Sequence, residues 1–205
     1  MGRKDIAGKK GIKMKWEENV RRAVPYVAGE QPDRPGIIKL NTNECPYPPA
    51  PGAAEMARQM NWDDLRLYPD PDSGILVNAL AEYHQVKREQ VFVGVGSDDV
   101  LSLAFLTFFN GGRPILFPDV TYSFYDVWAR LYGIPYITCA LDENWHICAK
   151  DYCQPNGGVI FPNPNAPTGL LERLETVEEI LQANRDVVVI VDEAYVDFGG
   201  MSALP

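Results

Sequence analysis

The sequence is 205 residues long, 46% hydrophobic, and carries a formal net charge of −9. That length and apolar share suffice for a sizeable core, while the acidic balance argues against nucleic acid and anionic membrane surfaces as partners. No apolar run approaches the roughly twenty residues that a membrane-spanning helix needs.

Met1 to Lys13 is basic and lacks the apolar centre of a signal peptide. Met14 offers an alternative start, immediately before a patterned helix. Trp16, Val20, Ala23 and Val24 fall on one helical face, with charged residues largely opposite, and Pro25 ends the helix. A Pro-rich connector follows, so residues 1–36 read as an extension, an arm helix and a linker. Residues 37–205 read as part of one larger domain.

Ile37 to Leu40 is expected as a short strand. It leads into Asn41-Thr42-Asn43-Glu44-Cys45-Pro46-Tyr47-Pro48-Pro49, where prolines stiffen the backbone and present polar side chains at little entropic cost. Asn43 and Glu44 either line the mouth of a site or satisfy nearby backbone groups. Ala53 to Met60 is expected as a helix. Leu67-Tyr68-Pro69-Asp70-Pro71 reads as a turn, and Ser73 as the cap of a helix reaching about His84.

Val91 to Val93 is expected as a strand and Gly94-Val95-Gly96 as a close turn, with Ser97 capping a helix from Asp98 to about Phe109. Unpaired backbone N–H groups and the positive end of a helix gather an anion at such a place. A phosphate is the expected guest, held by the Gly96–Asp98 turn. The plainer reading is an ordinary helix start favoured by acidic residues.

Pro114 to Phe117 is the next expected strand, and Thr121-Tyr122-Ser123-Phe124-Tyr125 opens a helix to roughly Tyr132. An aromatic ring here can stack on a flat cofactor; Phe124 and Tyr125 read as core. Tyr136 to Cys139 is expected as a strand, and 141–156 as an irregular excursion. Cys45, Cys139, Cys148, Cys153 and His146 match no common zinc spacing, so no metal is expected, and free thiols without a leader read as cytoplasmic.

Thr176-Val177-Glu178-Glu179 has the pattern of a capping box opening a helix to about Asn184. Strands alternating with helices from Val91 onward imply an α/β fold with a mostly parallel sheet covered on its faces.

Two segments near the end carry the chemistry. After the apolar strand Val159 to Phe161 comes the turn Asn163-Pro164-Asn165-Ala166-Pro167-Thr168-Gly169. After Val187 to Val191, a run expected to be buried on both faces, comes Asp192-Glu193-Ala194-Tyr195. Ligands of open α/β sheets sit at the carboxyl ends of strands, and a carboxylate there is costly unless a cation meets it. Pyridoxal 5'-phosphate fits both demands, because its protonated pyridine nitrogen needs a carboxylate partner. Asp192 is the candidate partner, and Tyr195 the candidate donor to the ring hydroxyl. A strand-capping Asp and a packed Tyr are the plainer reading of either residue alone.

These segments, together with LNTNECPY at 40–47, YPDP at 68–71, GVGSDD at 94–99 and TYSFY at 121–125, resemble the class I and II aminotransferase family, and in particular its histidinol-phosphate branch. The matches span most of the chain in the family's order. The resemblance implies the large domain of a fold type I pyridoxal-phosphate-dependent transferase, a three-layer sandwich with a mostly parallel sheet. The implied reaction moves an amino group between L-histidinol phosphate and 2-oxoglutarate, the latter becoming glutamate, a step of histidine biosynthesis, in a homodimer.

By the same resemblance Ser97 and Asp98 hold the cofactor phosphate and Tyr122 stacks on its ring. Tyr68 reaches across the dimer to the phosphate of the other subunit. Tyr26 and Asn43 are the candidate substrate-binding residues, Tyr26 standing equally well as arm packing. Where much of the family has Asn before Pro-Thr-Gly, this chain has Ala166, so Asn165 or Asn163 supplies the ring-hydroxyl contact or Tyr195 carries it alone.

The family's cofactor-bearing Lys lies in a Ser-Lys motif beyond the counterpart of Asp192, and no such motif follows here before Pro205. The chain therefore reads as the front portion of an enzyme, without transaminase activity or full solubility by itself. Rival readings are an aromatic aminotransferase or threonine-phosphate decarboxylase of the same fold, and a non-catalytic module retaining it. A dehydrogenase-like nucleotide site lacks its Gly-x-Gly-x-x-Gly fingerprint.

Overall fold

The computed structural model describes residues 18–22, 24, 26, 27 and 29–204. Trp16 and Ala23 of the expected arm helix lie outside them, and the described residues 20–22 and 24 are not helical. The described residues form five α-helices and a four-stranded sheet. The helices are α1 (Pro51–Gln59), α2 (Gly74–His84), α3 (Gly96–Phe108), α4 (Phe124–Tyr132) and α5 (Leu174–Ala183). The strands are β1 (Ile115–Pro118), β2 (Tyr136–Cys139), β3 (Val159–Pro162) and β4 (Val189–Asp192). The strands are parallel in the order β2-β1-β3-β4.

Period-two alternation divides the sheet side chains between two cores. Ile115 and Phe117 of β1 and Ile160 of β3 pack with Leu101, Phe105 and Phe109 from α3 and its end, and with Tyr125, Trp128 and Ala129 of α4. Leu116, Val159 and Phe161 face the other way, against Val177 and Ile180 of α5 and Ile147 and Tyr152 of the excursion. This is the expected arrangement of helices on both faces of a parallel sheet. Each fully buried Phe, Leu or Ile contributes about 1.5–3 kcal/mol relative to exposure. Asp192 shares its parity with Ile190, which packs against the α3–α4 core. Its side chain is thereby directed to that face.

Several local expectations are corrected. Residues 37–40 and 91–93 form no strand and do not join the sheet. β4 is half-buried rather than buried on both faces, since among the described residues only β3 pairs with it. Ser73 sits in the left-handed region without a side-chain cap; Asp70 takes that part, accepting from Gly74 N at 2.7 Å and Asp72 N at 3.1 Å. Those N–H bonds, from Gly74 first, hold the Asp70 carboxyl below its ordinary pKa. Thr176 lies inside α5, whose N-cap is Arg173. Charged flanks and local patterns suggested these caps; the chain path from the preceding turn decided them.

Candidate functional site

The carboxyl ends of β1, β3 and β4 open onto one region, as parallel strands dictate. The loop after β3 is fixed by two asparagines. Asn163, fully buried, accepts from Glu172 N at 2.8 Å and so closes the loop's base. Asn165 donates to Val120 O at 3.0 Å and Thr168 Oγ1 at 3.1 Å, and accepts from Thr121 Oγ1 at 3.2 Å. Gly169, at φ +72°, lets the chain double back, and its N–H reaches Asn165 O at 2.7 Å. The Asn165 amide makes both its N–H bonds within this region, and the Asn163 amide is buried beside Glu172 O at 3.4 Å.

Asp192 ends β4. Its Oδ2 accepts from Tyr125 Oη at 2.8 Å and its Oδ1 from Ala194 N at 3.2 Å. Burial raises its pKa above the ordinary value; the bonds from Tyr125 and Ala194 oppose that rise, and the charge of Asp98 adds to it. None of its contacts among the described residues is cationic. A partly buried carboxylate with neutral donors alone is an arrangement that a cationic N–H completes.

Three further segments converge there. Gly96, at φ +83°, turns the backbone into α3. Ser97 is not the cap that its sequence position suggests: it lies within the first turn, while Asp99 Oδ2 accepts from Val95 N at 3.0 Å. The early N–H groups of a helix have no intrahelical acceptor. Tyr122 donates to Asp98 Oδ1 at 2.6 Å, and its phenol is raised in pKa, by burial first and then by that bond. Asn43 takes a left-handed conformation that Asn tolerates, and its Nδ2 donates to Tyr195 Oη at 3.0 Å.

A cavity of about 60 Å³ is lined by Ser97, Tyr122, Pro162, Ala166, Asp192, Ala194 and Tyr195. It adjoins a cleft of about 300 Å³ that shares Ala166 and Tyr195 and adds Asn43, Glu44, Cys45 and Asn165. Asp192 and the start of α3 therefore line one pocket. Three expected residues, Asp98, Tyr68 and Tyr26, line neither the cavity nor the cleft. Tyr68 is fully exposed, and Tyr26 packs on Phe124 with ring centroids 4.7 Å apart. Phe124 in turn stacks on Tyr122 at 5.6 Å, so Tyr26 stands two rings from the pocket. Tyr125 is core, as read from sequence, and its hydroxyl in addition touches Asp192, a contact that no local pattern signals.

A parallel sheet with an acid at one strand end and a helix start beside it defines an α/β cofactor-binding domain. The family of class I and II aminotransferases matches residues 35–204, and the chain belongs to that family. It is 56% identical to a histidinol-phosphate aminotransferase of Pseudomonas putida over 189 residues, covering 92% of this chain and 54% of that protein. It is 50% identical to one from Lactococcus lactis subsp. cremoris over 192 residues, covering 94% and 54%. The chain thus spans about half the length of these relatives. Among solved structures, the histidinol-phosphate aminotransferase of Sinorhizobium meliloti in complex with pyridoxal-5'-phosphate shares the fold. The TM-score is 0.68 at 24% identity, over 77% of this chain and 44% of that one. No helix among the described residues is long and apolar enough to cross a membrane.

Proposed function

We propose that this chain supplies the cofactor-binding part of a pyridoxal-phosphate-dependent aminotransferase that exchanges an amino group between L-histidinol phosphate and 2-oxoglutarate. The observation that carries this reading is the half-buried Asp192 carboxylate, without a cationic neighbour among the described residues, in one pocket with the first turn of α3. When bound, the cofactor supplies a protonated pyridine ring that withdraws electrons from the substrate. Asp192 keeps the nitrogen of that ring protonated. The N–H groups of Ser97 and Asp98 hold the phosphate, aided by the helix dipole. The Asp98 side chain, turned toward Tyr122, leaves those N–H groups unobstructed.

Tyr122 bears on the ring face, and Tyr195 donates to the ring hydroxyl while accepting from Asn43. Tyr195 can do both, because a phenol is donor and acceptor at once. With both Asn165 N–H groups bonded to Val120 and Thr168 and Asn163 buried, it makes that contact without their help. Asn43 lines the larger cleft and bonds Tyr195, which lines both, a place suited to the substrate as well. Tyr26 serves the aromatic packing on α4 and approaches substrate through it.

The exposed Tyr68, with Trp62 and Leu65 exposed close by in sequence, supports a second copy covering this surface and receiving Tyr68 at its cofactor phosphate. The four free thiols suit a reducing compartment, the cytoplasm. Relatives named for histidinol phosphate at 50–56% identity support that substrate. The test is titration of the 205-residue chain with pyridoxal phosphate, followed by absorbance. Saturable binding abolished by Asp192→Ala is expected. Equal binding by the variant overturns the assignment of Asp192.

A further inference from the structure

Tyr125 is fully buried among Phe105, Phe117 and Tyr122, with ring centroids 6.0, 5.9 and 5.8 Å away. A tyrosine in an apolar cluster needs a partner for its hydroxyl, and here the partner is Asp192 Oδ2 at 2.8 Å. The ring is held by α3, by β1 and by the residue that precedes α4, so its hydroxyl has a fixed position. The geometry points to Tyr125 as a positioning residue, which sets the rotamer of Asp192 and turns its remaining lone pairs toward the pocket. This rests on the reading of Asp192 as the partner of a pyridine nitrogen.

The surrounding charges give this bond a second consequence. Asp98 faces the pair from α3, Tyr122 from the start of α4 and Tyr195 from the loop after β4. Glu193, next in the chain, is engaged with Ser202 and with the backbone of Ala203. Burial and the Asp98 charge both favour the neutral acid, whereas the Tyr125 and Ala194 bonds favour the ionised one. Tyr125 is the only side chain among those opposing contributions. Its own phenol is raised well above the ordinary value, by burial first and the Asp192 charge next. It therefore remains a donor wherever Asp192 is ionised.

The test removes one oxygen, as Tyr125→Phe, and reads the acid directly. In the 205-residue chain labelled with ¹³C at aspartate carboxyls, the Asp192 resonance is assigned by its loss in Asp192→Asn. Its titration midpoint is expected to move upward in Tyr125→Phe; an unmoved midpoint overturns the inference. Should the Phe variant fold poorly, 3-fluorotyrosine at position 125 leaves the bond in place. Its ¹⁹F signal is expected to step with the Asp192 titration and to lose that step in Asp192→Asn. A signal with no such step also overturns it. In the presence of pyridoxal phosphate, Tyr125→Phe is expected to weaken binding about tenfold. Binding unchanged by the substitution overturns the role of Tyr125 alone. Absence of binding by the unsubstituted chain overturns the cofactor reading, and the role of Tyr125 with it.

Discussion

The hydroxyl of Tyr122 donates to Asp98 Oδ1 at 2.6 Å, tying the segment after β1 to the first turn of α3. The same bond turns an acidic side chain away from the anion site that its own backbone helps to form. Tyr122 therefore has two parts, a ring for stacking and a hydroxyl for holding Asp98. Tyr122→Ala should weaken pyridoxal phosphate binding by about 2- to 10-fold, the range of aromatic pair energies. Tyr122→Phe should lose less, because the ring remains. Fluorescence titration of both variants checks the order; Phe falling as far as Ala would locate the effect in the hydroxyl.

Asn43 and Tyr195 are 152 positions apart in sequence and bond at 3.0 Å. Tyr195→Phe should reduce cofactor affinity roughly two- to tenfold, as expected for one net hydrogen bond. Asn43→Ala should cost little more in that background, since the bond it makes is already gone. A double-mutant cycle gives the coupling; full additivity would mean that the two act separately.

Asn163 closes the loop that lines the cleft from a site with no solvent access. Asn163→Ala strands the Glu172 N–H in the interior. The expected loss is about 1–3 kcal/mol of unfolding free energy, or about 2–4 °C in Tm per kcal/mol at this chain length. Urea unfolding monitored by circular dichroism measures it.

The raised pKa of Asp192 fixes the sign of a pH effect. The native state holds this proton more tightly than the unfolded chain does. Its contribution to stability is therefore complete below the ordinary 3.8 and is lost as pH rises through the native value. Asp192→Asn should abolish that decline without cofactor. Unfolding curves collected at increasing pH test this, and a variant whose decline equals that of the parent chain contradicts it.

Cysteine reactivity separates the thiols. Cys45, Cys148 and Cys153 are exposed, whereas Cys139 is buried and its thiol is pushed up to about 11, by burial first. Three thiols should react quickly with an aromatic disulfide reagent and the fourth only on unfolding.

Much of this arrangement was legible in the sequence because it depends on local pattern. The apolar runs ending at Phe117, Phe161 and Val191 announced strands, and the residues after them announced the site. Helix starts were harder to read. Ser73, Ser97 and Thr176 look like caps, yet Asp70 and Asp99 act around the first two, and Thr176 lies inside α5. Side-chain commitments were hidden as well. Asn165 looks like a free amide until Val120 and Thr168 are brought beside it from other parts of the chain path. Tyr125 looked like core packing because nothing local reports a contact with Asp192, 67 residues away. β4 read as doubly buried from its composition, and composition does not reveal which strands stand beside it.

The most direct test of the central claim is a crystal structure of the chain with pyridoxal phosphate bound. The pyridine nitrogen is expected about 2.7–2.9 Å from an Asp192 carboxylate oxygen, with the phosphate at the N–H groups of Ser97 and Asp98. A cofactor bound with its nitrogen away from Asp192, or its phosphate away from the start of α3, would contradict it.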